Sequence, residues 1–168
     1  MTVPQQRPHR SKQDYATPMI FINAVKSLLS IDRFAFDFAA DLSNHKASRY
    51  WMITNDALSQ PPAAWKRQCG SDWGWLNPPY ASIGPWAKKC LEASRQGAKI
   101  AFLVPASVGS NWFRDYIHGA YGVRVLFLNG RIPFIPDKPN WLYPKDCMLV
   151  LFGDEDAPPY SSDIWTWR

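Results

Sequence analysis

Strand-like and helix-like segments alternate along this chain, and that alternation limits the folds open to it more than any other feature. The clearest strand is Lys99 to Val104, an apolar run that reads as buried. Before it, Trp86, Ala87, Cys90 and Leu91 form the apolar stripe of a helix from about Pro85 to Gln96, with Lys88 and Glu92 on its polar face. Gly97 ends that helix. Further strands are expected at Phe34 to Phe38, Tyr50 to Thr54, Trp73 to Leu76, Val123 to Leu128 and Cys147 to Phe152. A first helix begins at Thr17-Pro18, because Thr can cap and Pro fits the first helical position. Its apolar face carries Phe21, Ile22, Val25, Leu28 and Leu29. Another helix is marked by Trp112, Phe113, Tyr116 and Ile117 and closed by Gly119. The stretch Gly130 to Lys145 holds too many prolines and aromatic residues to be regular. The order of elements predicts a single-domain α/β protein with a three-layer, mostly parallel sheet. That domain spans 14–168, and 1–13, with Arg7, His9, Arg10 and Lys12, reads as a flexible basic arm.

Composition narrows the partners. At 46% apolar residues the chain can build a core and is not a disordered tail. A net charge of +5 leans toward polyanions. Nine Trp, nine Phe and seven Tyr exceed what packing needs and offer flat faces for stacking. Cys69, Cys90 and Cys147 are widely separated and fit neither a zinc spacing nor a disulfide framework, so a reducing cytoplasm is the expected setting. No apolar run approaches the ~20 residues of a membrane helix, and no apolar region of a secretory signal follows the basic residues. Glycine-rich nucleotide loops are absent, which weighs against nucleotide hydrolysis and ordinary dinucleotide binding; a nucleophile elbow, a His-Glu-x-x-His pair and a metal-ligand cluster are absent too, so no metal is expected.

Open α/β sheets bind ligands beyond the carboxyl ends of their strands. That rule directs attention to Asp37, Asp56, Pro105 to Ser110, the loop at Gly130 and, above all, Asn77-Pro78-Pro79-Tyr80 directly after a strand. A residue before proline is pushed toward extended backbone, and proline fixes its own φ at about −65°. Two prolines in a row therefore hold the Asn77 side-chain oxygen and the Pro78 carbonyl in a set relation, as two acceptors for the two hydrogens of an exocyclic amine. Tyr80 supplies a face on which a base can stack. An aromatic amine is a poor nucleophile because its lone pair is delocalised into the ring. Two acceptors that draw its hydrogens out of plane localise that pair and stabilise the positive charge growing on nitrogen, an oxyanion hole with the sign reversed. A base within a duplex reaches such a site only by flipping out, at a cost of a few kcal/mol. Stacking on an aromatic ring returns ~1–3 kcal/mol of that. Without its context, the same tetrapeptide also fits a surface turn or a polyproline-type ligand.

The Asn77 motif resembles the catalytic motif of S-adenosylmethionine-dependent amino methyltransferases, particularly those acting on adenine N6 in DNA. With Asp14-Tyr15-Ala16-Thr17-Pro18, Phe36-Asp37-Phe38-Ala39-Ala40 and Gly130-Arg131-Ile132-Pro133-Phe134, the chain is similar to the small phage and prophage DNA N-6-adenine methyltransferases of Dam type, over residues 14 to about 152. The resemblance implies a three-layer, Rossmann-like class I methyltransferase sheet, S-adenosylmethionine as cofactor, and adenine-containing duplex DNA as substrate, in the cytoplasm of a bacterial host. It further implies that Asn77, Pro78, Pro79 and Tyr80 are catalytic, and that Thr17 and Pro18 lie at the methionine carboxylate of the cofactor. Asp37 then belongs to the first cofactor motif, and Asp56, within Asn55-Asp56-Ala57-Leu58, to the adenosine end. Phe134 resembles an aromatic residue that packs against the flipped base from the other side; the same ring also fits plain core packing. One departure is plain: Ala39-Ala40-Asp41 stands where the first motif usually has a glycine-rich turn.

Arg131, Lys138 and Lys145, together with the basic arm, are the expected phosphate contacts. Two other readings compete. One keeps the chemistry but changes the acceptor to RNA or to a protein glutamine amide. The other is a non-catalytic module whose aromatic residues stack on single strands.

Overall fold

The computed structural model describes residues 16–134 and 142–168. The expected basic arm, Asp14, Tyr15 and Lys138 lie outside the described residues. Ten regular elements follow in chain order: α1 (Met19–Leu29), β1 (Phe36–Asp37), α2 (Pro62–Cys69), β2 (Trp73–Leu76), α3 (Gly84–Ser94), β3 (Lys99–Pro105), α4 (Asn111–Tyr116), β4 (Val123–Asn129), β5 (Cys147–Phe152) and β6 (Ser162–Thr166). The strands form one sheet in the order β1-β2-β3-β5-β4-β6.

Alternation along β3 shows how the sequence builds the core. Ile100, Phe102 and Val104 face one apolar cluster, with Trp65 of α2, Ala87, Cys90 and Leu91 of α3, and Phe113 of α4. Ala101 and Leu103 face a second cluster, with Phe21, Ile22 and Val25 of α1. A strand covered on both faces needs no polar alternation, which is why Lys99 to Val104 reads as a continuous apolar run. Each large side chain buried this way contributes about 1.5–3 kcal/mol.

The sheet is mixed rather than simply parallel. Only β5 runs against its neighbours, β3 and β4; the other pairings are parallel. The reversal has a local cause. β5 starts at the edge of the sheet where β4 ends and pairs back along it, an antiparallel pairing that needs no crossover. The carboxyl ends of β2, β3, β4 and β6 therefore meet the amino end of β5 along one edge of the sheet.

Three further details differ from the sequence reading. Thr17 does not cap α1: the helix starts at Met19, Pro18 is its N-cap, and the Pro18 carbonyl accepts from Phe21 N and Ile22 N at 3.0 and 3.1 Å. Tyr50 to Thr54 is not a strand. Tyr50 makes a single bridge to Asp37, and a 3₁₀ turn, Ile53–Asn55, follows. The Asn55 side chain accepts from Met52 N at 2.8 Å, so a local side-chain bond replaces continued pairing. Finally, α2 and β6 have no counterpart in the sequence reading.

Gly74 explains how β1 is held. Its missing side chain leaves room for the Phe38 ring: a Cβ there would lie 2.5 Å from Phe38 Cε2. Phe38 in turn stacks on Trp65 of α2, with ring centroids 4.1 Å apart. This packing fixes the end of β1, and Asp37 with it, beside β2 and its continuation into Asn77.

Candidate active site

A cavity of about 770 Å³ opens beyond the ends of β1 and β2. Its volume falls in the range of pockets that enclose a cofactor or drug-sized molecule. One wall is the end of β1 and the loop after it, from Asp37 through Asn44 together with Lys46. Met52, Ile53, Thr54 and Asp56 form the rim, and Thr17, Trp75, Asn77, Pro79 and Trp86 close the other side.

Asp37 is the charged centre of the first wall. It is buried at 2% exposure, and its two oxygens accept from Ala39 N at 3.1 Å and Lys46 N at 2.8 Å. Burial outweighs these bonds and the nearby Lys46 charge, so its pKa rises from 3.8 to about 6. The Lys46 ammonium is in turn pushed down by its own partial burial, against the attraction of Asp37. Where a glycine-rich turn would stand, the chain passes through Ala39 and Ala40, and Ala40 N donates to Trp51 O at 2.9 Å. Asp56 sits on the exposed rim in a left-handed conformation with φ 43°, one its short polar side chain tolerates.

Asn77 stands where the two halves meet. It lies just past Leu76, the last residue of β2 paired with β3, and is half-buried. Its Nδ2 donates to Thr17 Oγ1 at 3.0 Å, and its Oδ1 accepts from the Tyr80 hydroxyl at 2.8 Å. Pro78 is buried beyond the end of the ladder, and Pro79 is exposed on the cavity wall.

Away from the cavity, Tyr80 belongs to an aromatic cluster. Its ring lies edge-on to Phe134, 6.5 Å between centroids, and to Tyr143, at 5.9 Å. Phe134 and Tyr143 meet edge-to-face at 5.5 Å. Burial holds the Tyr80 phenol well above its ordinary pKa, so it stays a proton donor.

The structure thus gathers Thr17, Asp37, Asp56, Asn77 and Pro79 around one cavity, with Pro78 and Tyr80 behind Asn77. Pro18 lies outside that lining and serves α1. Phe134 is buried at 1% exposure and packs edge-on against Tyr80 and edge-to-face against Tyr143. Arg131 pairs with Asp146 at 3.1 Å, and Lys145 is exposed beside that pair. Sequence reasoning missed Tyr143, Lys46, Ile53 and Trp86. Only Ile53 carried a usable signal, as an apolar residue next to the Asn55-Asp56 turn, and it stands 92% exposed at the rim.

Fold and cavity together define an α/β protein with a cavity beyond the carboxyl ends of its first two strands, the place where open α/β sheets bind ligands. The family model of DNA N-6-adenine-methyltransferase (Dam) matches residues 5–155, and the chain belongs to that family. Membership implies methyl transfer to the N6 nitrogen of adenine in DNA. No curated protein and no solved structure matches the chain. Among the described residues, no helix is long and apolar enough to cross a membrane, and no group of His, Cys, Asp and Glu is placed to hold a metal.

Proposed function

We propose that this protein transfers a methyl group from S-adenosylmethionine to the N6 amine of an adenine turned out of a DNA duplex, on a three-layer, Rossmann-like class I methyltransferase scaffold. The observation that carries the reading is Asn77. In a chain of the Dam family, an Asn-Pro-Pro-Tyr turn continues a strand directly into the wall of a cofactor-sized cavity.

The residues present suit the cofactor. Thr17 offers a hydroxyl to a carboxylate, Asp56 an acceptor to hydroxyl groups at the rim, and Ile53, Leu58 and Trp86 an apolar surface to a purine. Asp37 anchors the loop that forms the opposite wall. When bound, S-adenosylmethionine supplies an electrophilic methyl group on a sulfonium.

Asn77 Oδ1 and the Pro78 carbonyl accept the two hydrogens of the adenine amine. They hold its lone pair out of the ring plane and stabilise the positive charge on nitrogen. Tyr80 keeps its proton and steadies Asn77 Oδ1 through its hydroxyl while its ring meets the base. Phe134 meets the same base only after the aromatic cluster opens. Arg131, Lys138 and Lys145 hold phosphates on the duplex.

Incubation with tritiated cofactor and DNA, RNA or protein tests the reading, with the product base identified by mass spectrometry. Label in N6-methyladenine of DNA is expected; label only in RNA or protein would move the acceptor. A non-catalytic stacking module would take up no label and gain no heat stability from S-adenosylmethionine. A binder gains roughly 2.7 kcal/mol at a hundredfold excess over Kd.

A further inference from the structure

We infer that Lys46 binds the carboxylate at the amino-acid end of the cofactor. The cavity thereby distinguishes S-adenosylmethionine and its product from adenosine derivatives that lack this group. The inference rests on the reading of the cavity as an S-adenosylmethionine site. Its basis is a half-buried lysine in the cavity wall whose ammonium has no direct ion pair.

Charge is unevenly shared around the cavity. Asp37, Asp41 and Asp56 line it, and Lys46 is the one cation among the described residues that do so. Asp56 stands on the rim, beside the apolar surface of Ile53, Leu58 and Trp86. The other three charged residues belong to one stretch, from the end of β1 to Lys46. A ligand with a purine at one end and a zwitterion at the other matches that division.

The backbone holds Lys46 for this task. Its N–H donates to Asp37 Oδ2 at 2.8 Å. The next residue, Ala47, is buried, and its carbonyl lies 2.9 Å from His45 Nδ1. The chain is pinned on both sides, and only the Lys46 side chain remains to be placed. Among the described residues, no carboxylate stands within ion-pair distance of the ammonium, and no hydrogen bond takes its hydrogens. Asp37 attracts it from a distance, but its two oxygens already accept from the amides of Ala39 and Lys46. Asp41 is turned to its own loop, where Oδ1 accepts from Ser43 N at 2.8 Å and from Ser43 Oγ at 2.7 Å. An ammonium drawn partly out of water carries a desolvation cost, which a carboxylate brought by the ligand offsets. Thr17 can offer the same carboxylate a hydroxyl but no charge. The ligand's own ammonium has Asp41 in the same stretch, held below the usual carboxylate range by the Ser43 hydroxyl.

Calorimetry with two ligands tests this without turnover. S-adenosylhomocysteine keeps the carboxylate and has no methyl group to transfer. Its decarboxylated form is the same molecule with hydrogen in place of that carboxylate. The wild type should bind S-adenosylhomocysteine about tenfold tighter or more, the effect of one hydrogen bond between charged groups. Lys46→Met keeps the apolar stem and removes the charge. Its affinity for S-adenosylhomocysteine should fall by about tenfold or more, while its affinity for the decarboxylated form should not fall. Equal affinity of the wild type for the two ligands would overturn the inference without any variant. A preference undiminished in Lys46→Met would overturn it as well. So would an equal loss of both ligands in a variant that unfolds at the wild-type temperature, which would make Lys46 a support of the loop and not a ligand contact. A wild type that binds neither S-adenosylmethionine nor S-adenosylhomocysteine would instead sink the reading of the cavity beneath it.

Discussion

The two sides of Asn77 are built in opposite ways. Toward the cavity, the wall is loop backbone, a buried carboxylate and a ring of partly exposed side chains, and about 770 Å³ stands open. Toward Tyr80, the wall is three aromatic rings packed edge-on, with Phe134 and Tyr143 both buried. The first side is formed before its ligand arrives. The second is closed, and a base enters only by displacing rings from contacts worth about 0.5–1.5 kcal/mol each beyond their burial. The contrast implies an order of events in which the small ligand binds a ready site and the polymeric substrate remodels its own. It also implies that side-chain changes on the two sides should separate in their effects on binding and on turnover.

Asn77 lies on the seam, and its removal should have the largest effect. Asn77→Ala is expected to lower turnover by roughly 10²-fold or more, as for loss of one transition-state hydrogen-bond partner. Cofactor affinity, read by calorimetry, should change little, since the cavity walls are otherwise intact. Full turnover in this variant would remove the acceptor chemistry altogether. A large loss of cofactor affinity would show that the two sides are less separate than the geometry implies.

Tyr80 probes the closed side alone. Tyr80→Ala should lower kcat/KM on fully paired DNA by about tenfold, in line with ~1–3 kcal/mol for a base stacked on an aromatic ring. The deficit should shrink on a duplex whose target adenine is mismatched, where less unpairing work remains. Tyr80→Phe keeps the ring and should preserve the wild-type ratio between the two substrates, while losing the bond to Asn77 Oδ1. An unchanged ratio in Tyr80→Ala would mean that the ring takes no part in base capture.

The same contrast explains what the sequence could and could not convey. The open side depends on strand ends and turns, which leave local marks: Asp37 ends an apolar segment, Asn55-Asp56 is a turn pair, and Asn77-Pro78-Pro79-Tyr80 is stiff by covalent structure. The closed side depends on residues far apart in the chain. Tyr143 meets Tyr80 because β5 reverses beside β4, and nothing local in a proline-rich loop foretells that contact. Phe134 was legible as aromatic, with core packing and contact with a base both open. Among the elements, β3 is plain because both its faces are covered, whereas β6 is an edge strand with mostly exposed side chains and so lacks alternation. α2 went unread although Pro62 opens it, a position proline favours.

Acidity probes the open side. Burial raises the Asp37 pKa from 3.8 to about 6, so between those values the folded protein holds a proton that the unfolded chain has released. Stability from this group is therefore full below pH 4 and fades as pH rises through 6. Unfolding of the ligand-free protein should show a loss of about 1 kcal/mol between pH 5 and pH 7 from this source. Ligand binding should move the other way, because the ionised carboxylate is the better acceptor for the Ala39 and Lys46 amides that shape the wall. The stabilisation gained from S-adenosylhomocysteine should thus grow over the same interval. Parallel trends in both measurements would place the titrating group outside the cavity.

The smallest effect is expected at the margin of the closed side, where Arg131 and Lys145 flank the segment that carries Phe134 and Tyr143. Arg131 is tied to Asp146 at 3.1 Å, yet both side chains are largely exposed. An exposed pair of this kind is worth no more than about 1 kcal/mol, so it does not keep the guanidinium from a phosphate. Trp167 Nε1 donates to Gly130 O at 2.8 Å, and the Arg168 guanidinium lies over the Trp167 ring and donates to Arg131 O, which gathers a second cation at the same place. If this corner holds a phosphate, Arg131→Gln should weaken binding only a few-fold near physiological salt. It should also reduce the slope of log affinity against log salt by about 0.9, one counterion's share on duplex DNA. The loss should be equal for paired and mismatched targets, because a phosphate contact positions the duplex without reading or capturing the base. An unaltered slope would clear Arg131 of any DNA contact. A loss confined to paired DNA would instead make this corner part of the machinery that opens the aromatic wall.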